Sequence, residues 1–228
     1  MANISHELKT PVGALGLLAE TLATEPDPEV AQPLAARLQS EAFRLSRTID
    51  DLLQLSQIEA GSPPVEEEIS VLRLMADVAE RGRSSAELRE VELKIDEVEP
   101  GLRVHGDRRQ LVSALTNLVD NAAKYSDPGS TIVVGASFED GCAVLRVRDQ
   151  GIGIPARDVE RIFERFYRVD RARSRETGGT GLGLAIVRHV ATNHGGTVTV
   201  SSREGEGSTF ALRLPAPAPP PSPNAEET

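Results

Sequence analysis

The first 60 residues carry apolar side chains at three- and four-residue steps and contain almost no pattern typical of a strand. The segment TEPDPE, with Pro26 and Pro28, interrupts this pattern, and a second periodic run continues to Ile58. We therefore predict a helical hairpin over residues 1–62. Two such helices bury little surface alone, so a symmetric dimer that forms a four-helix bundle is the simplest way to cover both apolar faces. The first face comprises Ile4, Leu8, Val12, Leu15, Leu18 and Leu22.

Residues 63–214 differ in character, because helical periodicity and strand-like alternation follow one another. Asp107 is a candidate N-cap for a helix that runs to about Lys124, with Gln110 as its capping-box partner. The segment 139–141 (EDG) is typical of a hairpin turn. This order of elements predicts an α+β fold, a two-layer sandwich with helices in one layer over a mixed sheet. The other predicted segments are helices at 71–88 and 181–194 and strands at 91–98, 102–106, 131–138, 142–149, 197–204 and 208–214.

The last stretch of the chain, residues 215–228, reads PAPAPPPSPNAEET. Its proline density excludes both helix and sheet, so we predict a disordered tail. Together, these changes along the sequence predict three parts with bounds at 1–62, 63–214 and 215–228.

Composition excludes several classes of protein. The single cysteine, Cys142, excludes a disulfide framework and a cysteine-based zinc site. The formal net charge of −10, from 25 Lys and Arg against 35 Asp and Glu, argues against nucleic acid as a partner. The longest run without polar side chains, 12–19, is too short to span a bilayer, and Glu7 and Lys9 precede any apolar run of the kind found in signal peptides. We therefore expect a soluble, cytoplasmic polypeptide.

Two asparagines stand four residues apart late in the helix predicted to end near Lys124. At this spacing Asn117 and Asn121 project from one helical face, and Lys124 follows one turn later. An amide oxygen is a neutral hard ligand suited to Mg²⁺, and lysine supplies a point charge for phosphates. The segment is thus a candidate for binding the phosphates and metal ion of a nucleotide. An ordinary amphipathic helix with polar residues near its end explains it equally well.

The sequence DQGIGIP places a carboxylate, Asp149, at the end of a predicted strand with Gly151 and Gly153 behind it. Glycines let the backbone approach a flat ligand, and the carboxylate can accept a hydrogen bond from an exocyclic amine. A plain turn is the alternative interpretation. The spacing differs from the GxGxxG pattern of dinucleotide-binding folds and no helix follows at once, so we reject a Rossmann fold.

A second glycine-rich segment, GTGLGL at 179–184, precedes an apolar helix. Glycines at a helix N-terminus expose backbone amides to an anion, although a flexible loop has the same composition. Between the two glycine clusters, residues 156–177 are rich in arginine and contain Phe163, Phe166 and Tyr167. A long charged loop between glycine hinges is typical of a lid over a binding site.

The order of these segments is more informative than any one of them. An asparagine-rich helix, DxGxG, a lid and then GTGLGL resemble the Bergerat (GHKL) ATP-binding fold, which histidine kinases, Hsp90-type chaperones, MutL and type II topoisomerases share. That resemblance implies ATP bound with Mg²⁺ under a mobile lid. Hydrolytic members carry a Glu four residues before the metal-binding Asn, whereas this chain has Asn117, and an amide cannot take a proton at neutral pH.

The γ-phosphoryl group therefore needs an acceptor other than water, and the N-terminal SHELKTP contains one. Imidazole is a good nucleophile near neutral pH, and a flanking carboxylate can take up its proton. Most lone histidines on helices are surface or packing residues, and we take His105, His189 and His194 as structural. His6 differs from them because Glu7 adjoins it and Thr10 shares its helical face.

SHELKTP followed by NLVDNAAKY, DQGIG, FERFYRVD, GTGLGL and GEGST resembles a two-component sensor histidine kinase of the HisKA type. The stretch ISHELKTPVGALGLLAE is further similar to actinobacterial phosphate-responsive kinases. The resemblance implies that His6 accepts the phosphoryl group, Glu7 takes its proton and Thr10 positions water for dephosphorylation of a partner. It also implies the nucleotide contacts. These are Asn121 to Mg²⁺, Asn117 and Lys124 to phosphates, Tyr125 near the base, Asp149 to the adenine amine, Gly151 and Gly153 around it, Arg168 to the γ-phosphate, and the backbone of Gly181, Leu182 and Gly183 around the phosphates.

The resemblance implies partners as well. The phosphoryl group of His6 would pass to an Asp of a response regulator receiver domain docked on the hairpin, and the protein would also act as that regulator's phosphatase. Kinases of this type carry further helical turns before the histidine, so we expect a longer parent protein anchored in the membrane. Two alternatives remain, a hydrolytic Bergerat ATPase and a non-catalytic dimerisation module.

Overall fold

The computed structural model of the chain describes residues 2–59, 67–169 and 179–220, and for residues 2–7 and 59 it describes the backbone alone. The first part is the predicted helical hairpin. Helix α1 spans Ala2–Thr24 and α2 spans Pro28–Glu59. The segment between them caps α2, because the Asp27 side chain accepts a hydrogen bond from the Glu29 amide (2.9 Å). Pro28 is the first residue of α2, where proline is well tolerated.

The strands of the described residues are β1 (Glu67–Ser70), β2 (Glu92–Val98), β3 (Arg103–Gly106), β4 (Thr131–Glu139), β5 (Cys142–Arg148), β6 (Thr197–Arg203) and β7 (Gly207–Pro215). Five of them form one mixed sheet in the order β2-β4-β5-β7-β6. Strands β2 and β4 are parallel, and the other neighbours are antiparallel. A separate antiparallel pair, β1 and β3, aligns Ile69 with Val104.

One layer of helices covers one face of this sheet and forms the core with it. It contains α3 (Val71–Glu87), α4 (Arg108–Tyr125) and α5 (Gly183–Asn193). Helices α3 and α4 approach so closely at Gly82 that an added Cβ would lie 2.5 Å from a Val119 methyl. The predicted α+β sandwich is therefore confirmed. The largest fully buried side chains include Leu74, Met75, Leu111, Leu115, Leu118, Leu145, Ile186 and Leu212.

The N-cap of α4 is confirmed, but the predicted capping box is wrong. Asp107 Oδ1 accepts hydrogen bonds from the amides of Arg109 (2.8 Å) and Gln110 (3.2 Å). The Asp107 amide, however, donates to His194 Nε2 (3.0 Å) rather than to Gln110. Gln110 Oε1 is buried without a hydrogen-bond partner among the described residues. His194 is thus structural, as predicted, because its hydrogen bond from the Asp107 amide joins the end of α5 to the start of α4.

Three further details differ from the sequence prediction. Strand β1 was missed, because EEIS is short and only Ile69 is buried in it. Helix α5 begins at Gly183 rather than at Gly181, whose φ of +76° is incompatible with a right-handed helix. Pro215 still belongs to β7, and the Ala216 amide donates to Gly141 O (3.1 Å), so regular structure extends into the predicted tail. Residues 221–228 lie outside the described residues. In the described part of the chain, the helices are too short or too polar to cross a membrane.

Candidate functional site

A cavity of about 720 Å³ lies between α4, the loop after β5 and the glycine-rich turn before α5. This volume is in the range of small-molecule sites. Predicted residues from all three segments, together with Arg168 of the predicted lid, line it, although they are up to 66 positions apart in the sequence. They are Asn117, Asn121, Lys124, Tyr125, Asp149, Gly153, Arg168, Gly181 and Gly183.

Two other predicted nucleotide contacts lie behind the cavity wall. The Leu182 side chain is fully buried in the core, so only its backbone can serve a ligand. Gly151 packs against the end of α4, where an added Cβ would lie 2.3 Å from Tyr125 O. Of the predicted catalytic residues, Thr10 lies exposed on α1, while the side chains of His6 and Glu7 lie outside the described residues.

Asp149 is a buried carboxylate at one end of the cavity, only 6% exposed. Its Oδ1 accepts hydrogen bonds from the amides of Gly151 (2.9 Å) and Ser208 (3.1 Å), which fixes the side chain and leaves Oδ2 for a ligand. Burial raises the pKa of Asp149, and the two amides partly oppose that shift. Apolar residues of the same cavity suit a flat ring. They are Ile152, Ile154, Pro155, Ile162, Leu184 and Phe210.

The glycines behind Asp149 are required by close backbone contacts. Gly153 has a φ of +67°, and an added Cβ would lie 2.0 Å from Arg203 O. Gly207 has a φ of +96° and packs against the Asp149 backbone, since an added Cβ would lie 2.2 Å from Asp149 O. These contacts lock the loop after β5 against the β6–β7 turn and so set the position of the carboxylate.

At the other end of the cavity, α4 presents polar side chains on one face. An added Cβ on Gly183 would lie 3.0 Å from Asn117 Oδ1, so this glycine lets α5 begin directly against the asparagine. Lys124 Nζ lies 4.8 Å from the centroid of the Tyr125 ring. Burial, together with the nearby Arg168 and Arg89, lowers the pKa of Lys124. An anion at this end would restore the stability of the lysine charge.

The glycine-rich turn is held in place by the start of the predicted lid. The Phe166 amide donates to Gly181 O (2.8 Å), and Phe166 itself adopts a φ of +62°. The Arg168 guanidinium donates to Gly179 O, and the Tyr167 hydroxyl donates to Asp158 Oδ1 (2.6 Å). The remainder of the lid, residues 170–178, lies outside the described residues.

Sequence reasoning missed several residues that line the phosphate-facing end of the cavity. Arg47 and Asp51 come from α2, so the hairpin itself forms part of the wall. Asp51 Oδ2 accepts a hydrogen bond from the Thr180 hydroxyl (2.6 Å) across 129 positions of sequence. No local pattern marks such residues, because α2 reads only as an amphipathic helix. The other missed lining residues are Ser85, Arg89 and Asp120.

The residues present fit a magnesium ion that a nucleotide brings with it. Asn121, whose side chain carries an amide oxygen, lines the cavity together with Lys124 and Arg168. Among the described residues, no group of three or more His, Cys, Asp or Glu side chains could hold a metal ion. Since Mg²⁺ usually keeps several waters and shares the phosphates of its nucleotide, one protein ligand is compatible with it.

Comparison with known families agrees with this geometry. The family described as "His Kinase A (phospho-acceptor) domain" matches residues 1–61. The family described as "Histidine kinase-, DNA gyrase B-, and HSP90-like ATPase" matches residues 106–218. The first match covers the hairpin, and the second covers α4, the loop after β5, the glycine-rich turn and β7.

Individual relatives are histidine kinases. The sensor-like histidine kinase SenX3 of Mycolicibacterium smegmatis is 42% identical over 207 residues, which cover 90% of this chain and 54% of that protein. The structure of the mycobacterial sensor histidine kinase MprB is 34% identical with a TM-score of 0.58, covering 67% of this chain and 98% of that one. Histidine kinase AdeS of Acinetobacter baumannii, at 24% identity and a TM-score of 0.73 over 93% of this chain and 98% of that one, supports the fold alone.

The chain spans about half the length of relatives such as SenX3. The narrower resemblance of ISHELKTPVGALGLLAE to actinobacterial kinases agrees with the matches to mycobacterial proteins. The two family matches also follow one another in the predicted order, with the phosphoacceptor hairpin first and the ATPase-type domain after it.

Proposed function

Since the chain belongs to the sensor histidine kinases of the HisKA type, we propose that it uses ATP to phosphorylate His6 and passes the phosphoryl group to an Asp of a response regulator. The observation that carries this proposal is the single cavity that brings together Asp149, Asn121, Lys124 and the turn at Gly181. A buried carboxylate at one end and cations at the other match the two ends of an adenine nucleotide.

At the base end, Oδ2 of Asp149 accepts a hydrogen bond from the adenine amine, and the apolar wall stacks against the ring. At the phosphate end, Lys124 and Arg168 neutralise charge, and the amides at the start of α5 bind phosphate oxygens. Asn121 is the residue that would hold Mg²⁺, which when bound neutralises charge on the phosphates. Asn117 lies beside Gly183 and contacts the phosphates from α4.

The reaction is the transfer of the γ-phosphoryl group from ATP to an imidazole nitrogen of His6. A nitrogen–phosphorus bond forms, the bond from the γ-phosphorus to the β–γ bridging oxygen breaks, ADP leaves, and Glu7 takes the imidazole proton. Such transfer depends on positioning and charge neutralisation more than on acid–base work. Hydrolysis is disfavoured, because an amide at Asn117 cannot activate water as a base.

The height of the cavity along the hairpin supports His6 as the acceptor. Helix α1 ends and helix α2 begins at the connection formed by residues 25–27. His6 is 24 − 6 = 18 residues from the end of α1, and Arg47 is 47 − 28 = 19 residues from the start of α2. At about 1.5 Å per residue, the backbones of both lie roughly 27–29 Å from the connection. Because Arg47 lines the cavity, the part of the cavity wall that α2 forms lies at about the same height along the hairpin as His6.

The partners follow from the hairpin. Exposed apolar side chains on both helices, including Val12 (54% exposed) and Leu53 (57%), support a homodimer through a four-helix bundle. The receiver domain of a response regulator would dock on the same bundle, where Thr10 could position water for dephosphorylation. As the chain spans about half of SenX3, we further propose a longer, membrane-anchored parent protein with this part in the cytoplasm.

The proposal is tested with γ-labelled ATP. The unmodified chain should acquire acid-labile, base-stable label, and His6→Gln should acquire none while still binding ATP. His105→Gln is the matched control and should be labelled like the unmodified chain. Label that persists in His6→Gln would refute the proposed acceptor. Multiple-turnover phosphate release that is unchanged in His6→Gln would instead indicate a hydrolytic ATPase, and failure to bind ATP would indicate a dimerisation module.

A further inference from the structure

The C-terminal half of α2 contacts the ATPase-type domain along one helical face. The Thr180 hydroxyl donates to Asp51 Oδ2 (2.6 Å), and Gln54 Nε2 donates to Ser113 Oγ (2.6 Å). One turn further, Asn193 Nδ2 donates to Ile58 O (3.2 Å). Leu55 and Ile58 are buried on the same face, at 2% and 6% exposure. Of these polar contacts, the Asp51–Thr180 hydrogen bond is the one that lines the nucleotide cavity.

Thr180 makes a second hydrogen bond that concerns the ligand. Its Oγ1 accepts a hydrogen bond from the backbone N–H of Leu182 (3.2 Å), which is the residue directly before α5. Amides at this position are the natural donors to a phosphate group. In the present arrangement that donor is engaged within the turn. Because Asp51 accepts the Thr180 hydroxyl proton, it orients the oxygen lone pairs toward Leu182.

The charges around this contact are also unfavourable for phosphates. Asp51 and Asp120 both line the cavity, as Lys124 does. Burial and the proximity of Asp50 and Asp120 raise the pKa of Asp51, while the Thr180 hydroxyl and Arg47 lower it. The polyphosphate of a nucleotide would bring further negative charge to this wall, so it would repel Asp51 and compete with it for Arg47.

We propose that the Asp51–Thr180 hydrogen bond is a latch that holds the ATPase-type domain on α2 and weakens its affinity for the phosphates of ATP. This inference rests on the proposed function, since it assumes that the cavity binds ATP. Asp51 acts through Thr180 and is a positioning residue. When the phosphates bind the Leu182 amide, Thr180 turns away and the contact with α2 is lost. By linkage, ATP loosens the hairpin from the domain by the same factor by which the latch weakens ATP binding.

The test compares ATP with adenosine, which has the base but no phosphates. Calorimetric titration of the full chain with Mg-ATP should give a Kd for Asp51→Ala that is at least about fivefold lower than that of the unmodified chain. Thr180→Val, which removes the hydroxyl and frees the Leu182 amide, should shift the Kd in the same direction. The Asp51→Ala, Thr180→Val double variant should have the same Kd as Asp51→Ala alone, because each substitution removes the same Asp51–Thr180 hydrogen bond. The Kd for adenosine should stay within about twofold in each variant, because the latch touches the phosphate end only.

Two matched controls separate the latch from general effects of charge and packing. Asp50→Ala removes a carboxylate from the exposed neighbouring position of α2, and Thr180→Ser keeps the hydroxyl. Both should bind ATP like the unmodified chain.

An unchanged or weaker ATP affinity in Asp51→Ala would overturn the latch, and so would an equal gain for adenosine, which would indicate general loosening. If the unmodified chain binds ATP and labels His6 while Asp51→Ala behaves like it, only the latch fails. If the unmodified chain binds no ATP, the proposed function fails and the latch fails with it.

Discussion

At the scale of single residues, the site keeps charges that burial disfavours. Burial raises the pKa of Asp149 and lowers that of Lys124, so each charged form is less stable here than in water. A folded chain selected for stability alone would replace such groups with apolar ones. A ligand that carries an amine at one end and phosphates at the other would compensate both. Perturbed ionisable groups in one cavity are thus a physical sign of a binding site.

Asp149→Asn tests the base end of the site. The asparagine oxygen can still accept hydrogen bonds from the amides of Gly151 and Ser208. The neutral asparagine side chain, however, binds an amine less strongly than a carboxylate does. We expect adenosine and ATP to lose affinity by the same factor, about tenfold. Titration with both ligands checks this, and Asp140→Asn, at an exposed turn, is the control. Unchanged adenosine affinity would contradict the assigned role.

The same variant gives a pH dependence with a definite sign. Because the folded-state pKa of Asp149 is raised above its ordinary value of 3.8, the folded state binds the proton more tightly than the unfolded state. The stability that this carboxyl contributes is therefore fully present below that value and lost as pH rises through the raised pKa. Relative to the unmodified chain, Asp149→Asn should gain stability between acid and neutral pH in chemical denaturation. A difference that is constant with pH would refute the raised pKa.

At the scale of elements, turns rather than helices determine the shape of the site. Helix α4 is specified locally by its apolar period and its Asp107 cap, whereas the loops around the cavity depend on contacts with other segments. Gly153 and Gly141 illustrate the difference, since both have positive φ values (+67° and +76°). An added Cβ at Gly141 meets nothing within 4 Å, but at Gly153 it would overlap the backbone of Arg203.

This pair gives a matched prediction. Gly141→Ala should cost roughly 1–2 kcal/mol of unfolding free energy, because the left-handed conformation alone disfavours alanine. Gly153→Ala should cost about 1–3 kcal/mol more, because the β6–β7 turn must also move. Urea denaturation measures both losses. ATP affinity should fall in Gly153→Ala and stay unchanged in Gly141→Ala. Equal losses of unfolding free energy in the two variants would contradict this prediction, because they would show that the Arg203 backbone can move away at little cost.

At the scale of the whole molecule, α2 presents apolar side chains on two opposite faces. One face of α2 packs on the ATPase-type domain through Leu55 and Ile58, while other apolar side chains of α1 and α2 remain exposed in the single chain. Those exposed side chains are the surface that the proposed dimer would bury. Docking of the ATPase-type domain and dimerisation can therefore occur together.

Leu53→Asp tests the dimer. Leu53 is 57% exposed on α2, and a charge at a buried dimer interface should weaken association by at least about tenfold in Kd. Sedimentation equilibrium measures this. Leu88→Asp is the control, because Leu88 is 85% exposed but lies outside the hairpin, and it should leave the dimer intact. ATP affinity should be unchanged in both, and a Leu53→Asp dimer of unaltered strength would exclude this face.

The sequence predicted most elements of the fold and most residues of the cavity, for a local reason. Apolar periodicity, helix caps and glycines act over a few neighbouring positions, so α4, β4, β5 and the turn at Gly181 follow from their own residues. The local rules failed where a distant group substitutes for a near one. His194 takes the Asp107 amide that Gln110 was expected to bind, and β1 exists because β3 supplies its partner.

The order of elements, the α+β sandwich and the family all follow from patterns in the sequence. That α2 closes one end of the cavity, so that Arg47, Asp51 and Thr180 belong to one site, depends on the folded structure. Periodicity shows that a helix has an apolar face, but it does not say which surface that face meets. The contact between Asp51 and Thr180 joins positions 129 apart, so it depends on the packing of whole elements rather than on any local pattern.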